Sequence, residues 1–335
     1  MQHGLSIDDF KAFRIHDPNG KAGVEQITLN ELSDGNVIIR SSYSCINYKD
    51  ALAATGKGKI LRKFPLIGGV DVAGEVAESS DVRFRKGEMV LVTGHGLSED
   101  HDGGYAEYVR VPGDWVDPLP DGMSAFDAMA LGSAGFTAAY AILQMERNGQ
   151  RPEGGEILVN GATGGVGGIA IDLLAGRGYD VVALTGKAEA ADYLNSIGAK
   201  RVLLRQQLDM GEKPLEKALW AGAIDNLGGE MLAWLTRTIA PLGNIASIGN
   251  AAGPKLETTV MPFILRGVNL LGINWKYHPA DIRREIWRRL ASDMRPRHLD
   301  KLINRVVTLE GMSPVFSALV AGGAMGRTVV KLGAA

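Results

Sequence analysis

One cysteine, Cys45, stands in 335 residues. A disulfide framework within the chain is therefore excluded, and so is a cysteine-rich zinc site. Charge of one sign is also lacking: 36 Lys and Arg against 38 Asp and Glu leave a formal net charge of −2, so no overall field favours nucleic acid or a membrane surface. Aromatic residues make up only 6% and do not cluster with basic ones along the chain, which argues against an RNA-binding surface. Long apolar runs are scarce. The nearest to membrane length, Ala128 to Met145, is full of Ala, Gly, Ser and Thr, and is expected to be a buried helix between domains. Met1 to Asp17 carries Asp8, Asp9, Lys11 and Arg14 and no apolar segment, so a secretory signal is not expected and the expected location is cytoplasmic.

The length is large for one core and suits two domains. Up to about residue 124 the chain has short β-like runs at Asn36 to Arg40, Gly69 to Ala77, Met89 to Thr93 and Tyr105 to Val111, as in a small antiparallel barrel-like unit. Pro112, Pro118 and Pro120 punctuate its end. Helix and strand then alternate, with strands expected at 156–160, 180–185, 201–205, 222–227, 243–248 and 268–273. Six such strands predict an α/β fold with a doubly wound parallel sheet of order 3-2-1-4-5-6. A helix is expected near 279–293, and Arg327 to Leu332 as a last strand returning to the first unit. The expected domains are 1–124 (β-rich), 125–274 (helix and strand in alternation) and 275–335 (return to the first unit).

The most informative stretch is 156–187. Ile157 to Val159 is a short apolar run that stops at Gly161-Ala-Thr-Gly-Gly-Val-Gly-Gly168, and a helical period follows through Ile169, Leu173 and Leu174. This is the strand, turn and helix of a dinucleotide-binding unit. Gly164 allows the tight turn, Gly167 allows close approach of backbone N–H groups to a pyrophosphate, and the helix start favours its charge. Ala162 replaces the first glycine of the usual fingerprint, so the context carries the assignment. An NAD site usually ends its second strand with an acid for the ribose 2′-OH. Here that strand ends in Thr185-Gly186-Lys187, and Asp180 lies at its other end. A hydroxyl and an ammonium suit a 2′-phosphate, so the expected cofactor is NADPH.

In the 279–293 helix, Ile282, Ile286 and Leu290 fall on one face, with Arg283, Arg284, Arg288 and Arg289 beside them and Arg295 and Arg297 just beyond. Two readings are open: a solvated face, or a landing patch for the phosphates of a substrate such as a coenzyme A thioester.

Several runs carry a family resemblance. They are Asn47-Tyr-Lys-Asp50, Pro65 to Val76, the loop His101 to Glu107, Gly161 to Gly168, Thr185 to Lys187, Trp220 to Asp225, Thr259 to Arg266 and Gly326 to Lys331. The chain resembles the medium-chain dehydrogenase/reductases, and within them the NADPH-dependent acryloyl-CoA reductase group, often labelled quinone oxidoreductase-like. The resemblance implies a Rossmann domain with a GroES-like catalytic domain. Zinc-dependent relatives place Cys where Asn47 stands and His-Glu where Val70-Asp71 stands; neither Asn nor Val supplies thiolate or imidazole, so no metal is expected. The implied reaction is hydride addition to Cβ of a short enoyl-CoA thioester and protonation at Cα.

The family position where cofactor and substrate meet falls on Asn47 and Tyr48. Tyr48 has three open roles: cofactor contact, proton donor or packing. Asp50 is expected to be a helix-cap residue. By position, the implied cofactor contacts are Tyr48, Thr163, Gly164, Gly165, Val166, Thr185, Gly186, Lys187, Arg205 at the end of the third strand, Asn250, Ile264 and Trp275. His101 and Glu107 lie in a Gly-rich loop where a turn-forming role is as open as chemistry. Relatives also pair the strand at Val268 to Asn274 with its twin, which implies a homodimer with one continuous sheet. The rival activities are an NADPH quinone reductase and, from another class, a non-catalytic NADPH-binding scaffold.

Overall fold

Glycine and proline break the first third of the chain into runs too short for anything but strands and short helices. The computed structural model, which describes residues 9–333, begins with β1 (Phe10–Ile15), β2 (Ala22–Ile27), β3 (Val37–Ile46), α1 (Tyr48–Ala54), β4 (Leu66–Ile67), β5 (Asp71–Ser79), β6 (Met89–Thr93), β7 (Tyr108–Val111) and β8 (Asp117–Pro118). The long α2 (Ala125–Arg147) follows. Then come β9 (Ile157–Asn160), α3 (Gly165–Gly176), β10 (Val181–Thr185), α4 (Ala191–Ser196), β11 (Arg201–Leu204), β12 (Trp220–Asp225), α5 (Gly229–Thr238), β13 (Ile239–Ser247), α6 (Met261–Arg266) and β14 (Asn269–Gly272). The chain ends with α7 (Ala280–Ala291), α8 (Leu299–Leu302), β15 (Ile303–Val307), α9 (Met312–Val320) and β16 (Arg327–Lys331).

Two compact units result: Met1–Ser133 with Lys276–Ala291 and Ile303–Ala335, and Ala134–Trp275 with Ser292–Leu302. These differ from the boundaries expected from sequence at both joins. The first unit runs on to Ser133 because α2 breaks at Gly132, whose φ of 52° and ψ of −155° are not helical. The segment from Ser292 belongs to the second unit because buried Asp172 on α3 accepts the N–H groups of Arg297 (2.7 Å) and His298 (2.9 Å). The helix α2 is long and apolar enough to cross a membrane, but 83% of its apolar window is buried inside the protein, as a core helix would be.

In the first unit, β2-β1-β4 form a small sheet and β15-β16-β3-β5-β6-β8 a larger one, with β7 also on β3. The ten-residue β3 is the hub, antiparallel to β5, β7 and β16. Its core joins Phe13, Ile39, Val72, Val92, Tyr105 and Phe316. In the second unit the sheet is parallel throughout, in the order β11-β10-β9-β12-β13-β14. That is the doubly wound order expected from the sequence. Its inner strands, such as Ile157-Leu-Val159 and Val181-Val-Ala-Leu184, are wholly buried, as both-faced coverage by helices requires.

Candidate active site

In the second unit the glycine-rich turn lies at the carboxyl end of β9, next to the point where strand order reverses. Gly164 is the N-cap of the twelve-residue α3 and offers no side chain to its first-turn N–H groups. A Cβ on Gly167 would stand 2.4 Å from the Gly161 carbonyl oxygen, so only glycine lets the helix start this close to the turn. Thr163 is buried, while Gly164 is exposed and Gly165 and Val166 are partly so. A polar network fixes the neighbouring loop: Asn160 Oδ1 accepts Asn226 N–H (2.6 Å), and Asp225 accepts Gly228 N–H (3.0 Å) and the Asn160 amide. Asp225 is pushed up by burial, against which those hydrogen bonds act.

At the next strand end, buried Thr185 accepts the Lys187 N–H on its hydroxyl (3.1 Å). Gly186 brings β10 and β11 together: its carbonyl accepts from Gln206 (2.9 Å), and a Cβ there would lie 3.6 Å from Arg205 Nη2. Arg205 opens the single 3-10 turn after β11 rather than ending the strand. Lys187 is held down by burial, with Glu189 acting in the opposite sense. Asn250 is exposed and its Cα lies beside Gly228. Ile264 is 72% exposed on α6 among exposed Val260 and Leu265, and Trp275 is partly buried after β14.

In the first unit, three strand ends converge. The pairing Thr328↔Ile46 brings Arg327 at the start of β16 to the end of β3, and Ser44↔Val72 brings the start of β5. Asp71 Oδ2 accepts from the Asn47 amide (2.8 Å), the Ser133 N–H (3.0 Å), the Ser133 hydroxyl (2.9 Å) and the Cys45 thiol (3.2 Å). Asn47 Oδ1 accepts from Arg327 Nη1 (3.0 Å), whose Nε donates to the Ala130 carbonyl. Both ends of the Asn47 amide are thus committed within the protein. Tyr48, the first residue of α1, is 45% exposed. Asp50 caps α1 by accepting the Asn47 N–H (2.8 Å), and also accepts Val70 N–H (3.1 Å). His101 has both ring nitrogens on backbone carbonyls and Glu107 accepts Lys11 N–H, so both hold turns. Arg327 was not singled out from the sequence, and Asp71 only as a position where zinc-dependent relatives carry a ligand, since residues so far apart give no local signal.

Burial, and then the charge of Asp71, push Asp50 up to about 7. An unfolded aspartate titrates near 4. Between those values the folded protein keeps a proton that the unfolded chain releases, so stability falls as pH rises through that window. Asp50→Asn is expected to flatten the fall, the two stability profiles diverging by up to about 4 kcal/mol between pH 4 and 7. Urea midpoints measured across that range check this; parallel profiles would place the titration elsewhere.

Against known proteins, a family described as alcohol dehydrogenase GroES-like domain matches residues 33–121, and one described as zinc-binding dehydrogenase matches 165–292. The donor set does not fit the zinc that the second description implies. Cys45 is buried and bonded to Asp71, its thiol held well above its usual value first by burial and then by the Asp71 charge. Asn47 and Val70 are not zinc ligands, and among the described residues no three His, Cys, Asp or Glu side chains cluster to hold a metal.

Over 310 residues the chain is 46% identical to YhfP of Bacillus subtilis, named as a quinone oxidoreductase, covering 92% of this chain and 94% of that one. It is 43% identical to AcuI of Escherichia coli, a probable acrylyl-CoA reductase, covering 96% and 99%. The yhdH oxidoreductase of Salmonella enterica, solved in complex with NADP, superposes with a TM-score of 0.93 at 42% identity, covering 97% and 100%. Bacillus subtilis yhfP, solved with NAD bound, superposes with a TM-score of 0.94 at 44% identity and the same coverage. The chain therefore belongs to the medium-chain dehydrogenase/reductase family, in its group of acrylyl-CoA reductases and YhfP-like quinone oxidoreductases.

Proposed function

We propose that the protein is an NADPH-dependent reductase of short enoyl-CoA thioesters, converting acryloyl-CoA to propanoyl-CoA. The observation that carries this is the 43% identity to AcuI across 96% of the chain. NADPH, when bound, supplies hydride for Cβ of the substrate. The residues of the second unit fit it. The tight turn that Gly164 and Gly167 permit, with the uncapped first turn of α3, would take the pyrophosphate, with Thr163, Gly165 and Val166 around it. Thr185, Gly186, Lys187 and Arg205 would hold the 2′-phosphate, and Asn250, Ile264 and Trp275 are proposed along the rest of the cofactor.

Reduction of the C=C bond places negative charge on the thioester oxygen, which needs a donor, and Cα then takes a proton. The Asn47 amide is spent on Asp71 and Arg327, so its part is to set the start of α1. Tyr48 presents the exposed phenol and is assigned to the cofactor and substrate. Steady-state oxidation of NADPH against acryloyl-CoA, crotonyl-CoA and simple quinones tests the reading, with turnover of the thioesters expected. Exhaustive chelation should leave that turnover intact; loss restored by zinc alone would overturn the metal-free chemistry. Turnover of quinones and neither thioester would favour the activity for which YhfP is named.

The same reading includes a homodimer. The short β14 ends the parallel sheet with an open edge, and Leu242 (74% exposed), Val260, Ile264, Leu265 and Leu270 are exposed on the elements around it. Pairing of β14 with its twin would cover both. Light scattering at micromolar concentration should give twice the chain mass, and a monomeric mass would rule the pairing out.

A further inference from the structure

Three cations of the first unit meet on one carboxylate. Glu99, with a side chain 8% exposed, takes Lys49 on one oxygen and Lys276 on the other at 2.6 Å; Arg62 Nη2 stands 3.7 Å from that second oxygen and 3.1 Å separates Arg62 from Asp100. Burial pushes Glu99 up, but hydrogen bonds and charge from Lys276 and Lys49 outweigh it and hold the carboxyl low. Each cation brings a different stretch of chain to the spot. Lys49 follows Tyr48 in α1. Arg62 belongs to the loop after α1, where Lys57, Lys59, Arg62 and Lys63 are all exposed and no acid occurs from Ala51 to Val70. Among the described residues, Lys57, Lys59 and Lys63 have no carboxylate within ion-pair distance. Lys276 Nζ lies 5.3 Å from the ring centroid of Tyr277, a residue 72% exposed.

The loop has a fixed course. The N–H groups of Lys57 and Gly58 both donate to the Leu52 carbonyl, and Gly56 turns with φ of 65° where a Cβ would stand 2.5 Å from Asn19 backbone. Tyr48 opens the seven-residue α1, whose rise of about 10 Å ends just before this loop.

We propose that the 57–63 loop with Lys276 and Tyr277 binds the 3′-phosphorylated ADP portion of a CoA thioester. Arg62, Lys59 and Lys63 take the phosphates and Tyr277 offers a face to the adenine. This rests on the enoyl-CoA reading above and adds the residues that select the carrier. It assigns the handle to a surface one short helix away from Tyr48, so binding at the nucleotide can orient a small acyl group that has few apolar atoms of its own. The arginine helix does not supply all of its apparent charge for this task, because Arg283 is buried against Asp117.

The test compares acryloyl-CoA with the acryloyl thioester of N-acetylcysteamine, which lacks the nucleotide. In the variant Lys59→Glu/Lys63→Glu, and separately in Tyr277→Ala, KM for acryloyl-CoA should rise at least tenfold while kinetics with the truncated thioester stay as in the parent enzyme. Free 3′,5′-ADP should inhibit the parent enzyme competitively against acryloyl-CoA but not against NADPH, which separates this surface from the cofactor site. These are exposed side chains, and unchanged thermal melting will show that the variants fold. Silent variants, or a parent enzyme with equal kcat/KM for the two thioesters, overturn the assignment and leave the enoyl-thioester reading standing. A parent enzyme that reduces neither thioester overturns both.

Discussion

Lys187→Ala combined with Arg205→Ala is expected to weaken NADPH binding by about a hundredfold or more and NADH binding by less than about threefold. The expectation follows from the ends of two adjacent strands. Parallel pairing of Thr185 with Leu204 sets the carboxyl ends of β10 and β11 side by side, and Arg205 Nη2 lies 3.6 Å from where a Cβ on Gly186 would stand. An acid at this strand end would accept from a ribose 2′-OH and repel a 2′-phosphate; here the end carries Thr185, Gly186 and Lys187. Burial depresses Lys187, and a phosphate dianion beside it would act in the opposite sense. Each charge-assisted contact contributes about 1.5–3 kcal/mol, so two lost contacts amount to at least two orders of magnitude in affinity. Calorimetric titration of both nucleotides checks this. Equal weakening of the two would remove the 2′-phosphate from Lys187 and Arg205. The NAD in the yhfP structure makes the comparison informative, because the related fold there is seen with the other nucleotide.

The parallel sheet was legible because its inner strands are continuous apolar runs separated by helical periods, a pattern that burial on both faces imposes. Edges were not. Of β2 only Ile27 is buried, and the middle of β15 is exposed, so partners across the sheet define these strands more than their own composition does. The strand β13 starts at Ile239, earlier than expected, and runs through Pro241 and a left-handed Leu242 (φ 62°), residues that read as a turn. Within the candidate site, the glycine-rich turn between β9 and α3 could be read from glycine spacing. The Asp71 network could not, since Cys45, Asn47, Ser133 and Arg327 reach it only after three strand ends and the break in α2 converge. Glu99 was invisible for the same reason: its partners Lys49, Arg62 and Lys276 are scattered in sequence.

Arg283 is where the sequence reading of α7 fails, and it yields the largest stability effect. The buried face of this helix is Arg283, Ile286, Trp287 and Leu290, spaced i, i+3, i+4 and i+7, whereas the apolar stripe alone suggested Ile282, Ile286 and Leu290 with the arginines beside it. Tryptophan at 287 turns the helix so that position 283 enters the interior. The guanidinium is 2% exposed; Nε donates to Asp117 Oδ2 at 3.0 Å, and Nη2 to the Thr93 carbonyl (2.9 Å) and hydroxyl (2.6 Å). Burial pushes the Asp117 carboxyl up, and the Arg283 charge is the chief influence holding it down. Arg283→Met therefore leaves a buried carboxylate without its counter-charge, and should cost about 3–5 kcal/mol in urea unfolding. The double variant Arg283→Met/Asp117→Leu replaces the pair by apolar groups and should recover most of that loss. A cost below about 1 kcal/mol for Arg283→Met would return the residue to the solvated face. A double variant no better than the single one would mean that the Thr93 bonds, not the ion pair, anchor α7 to β6 and β8.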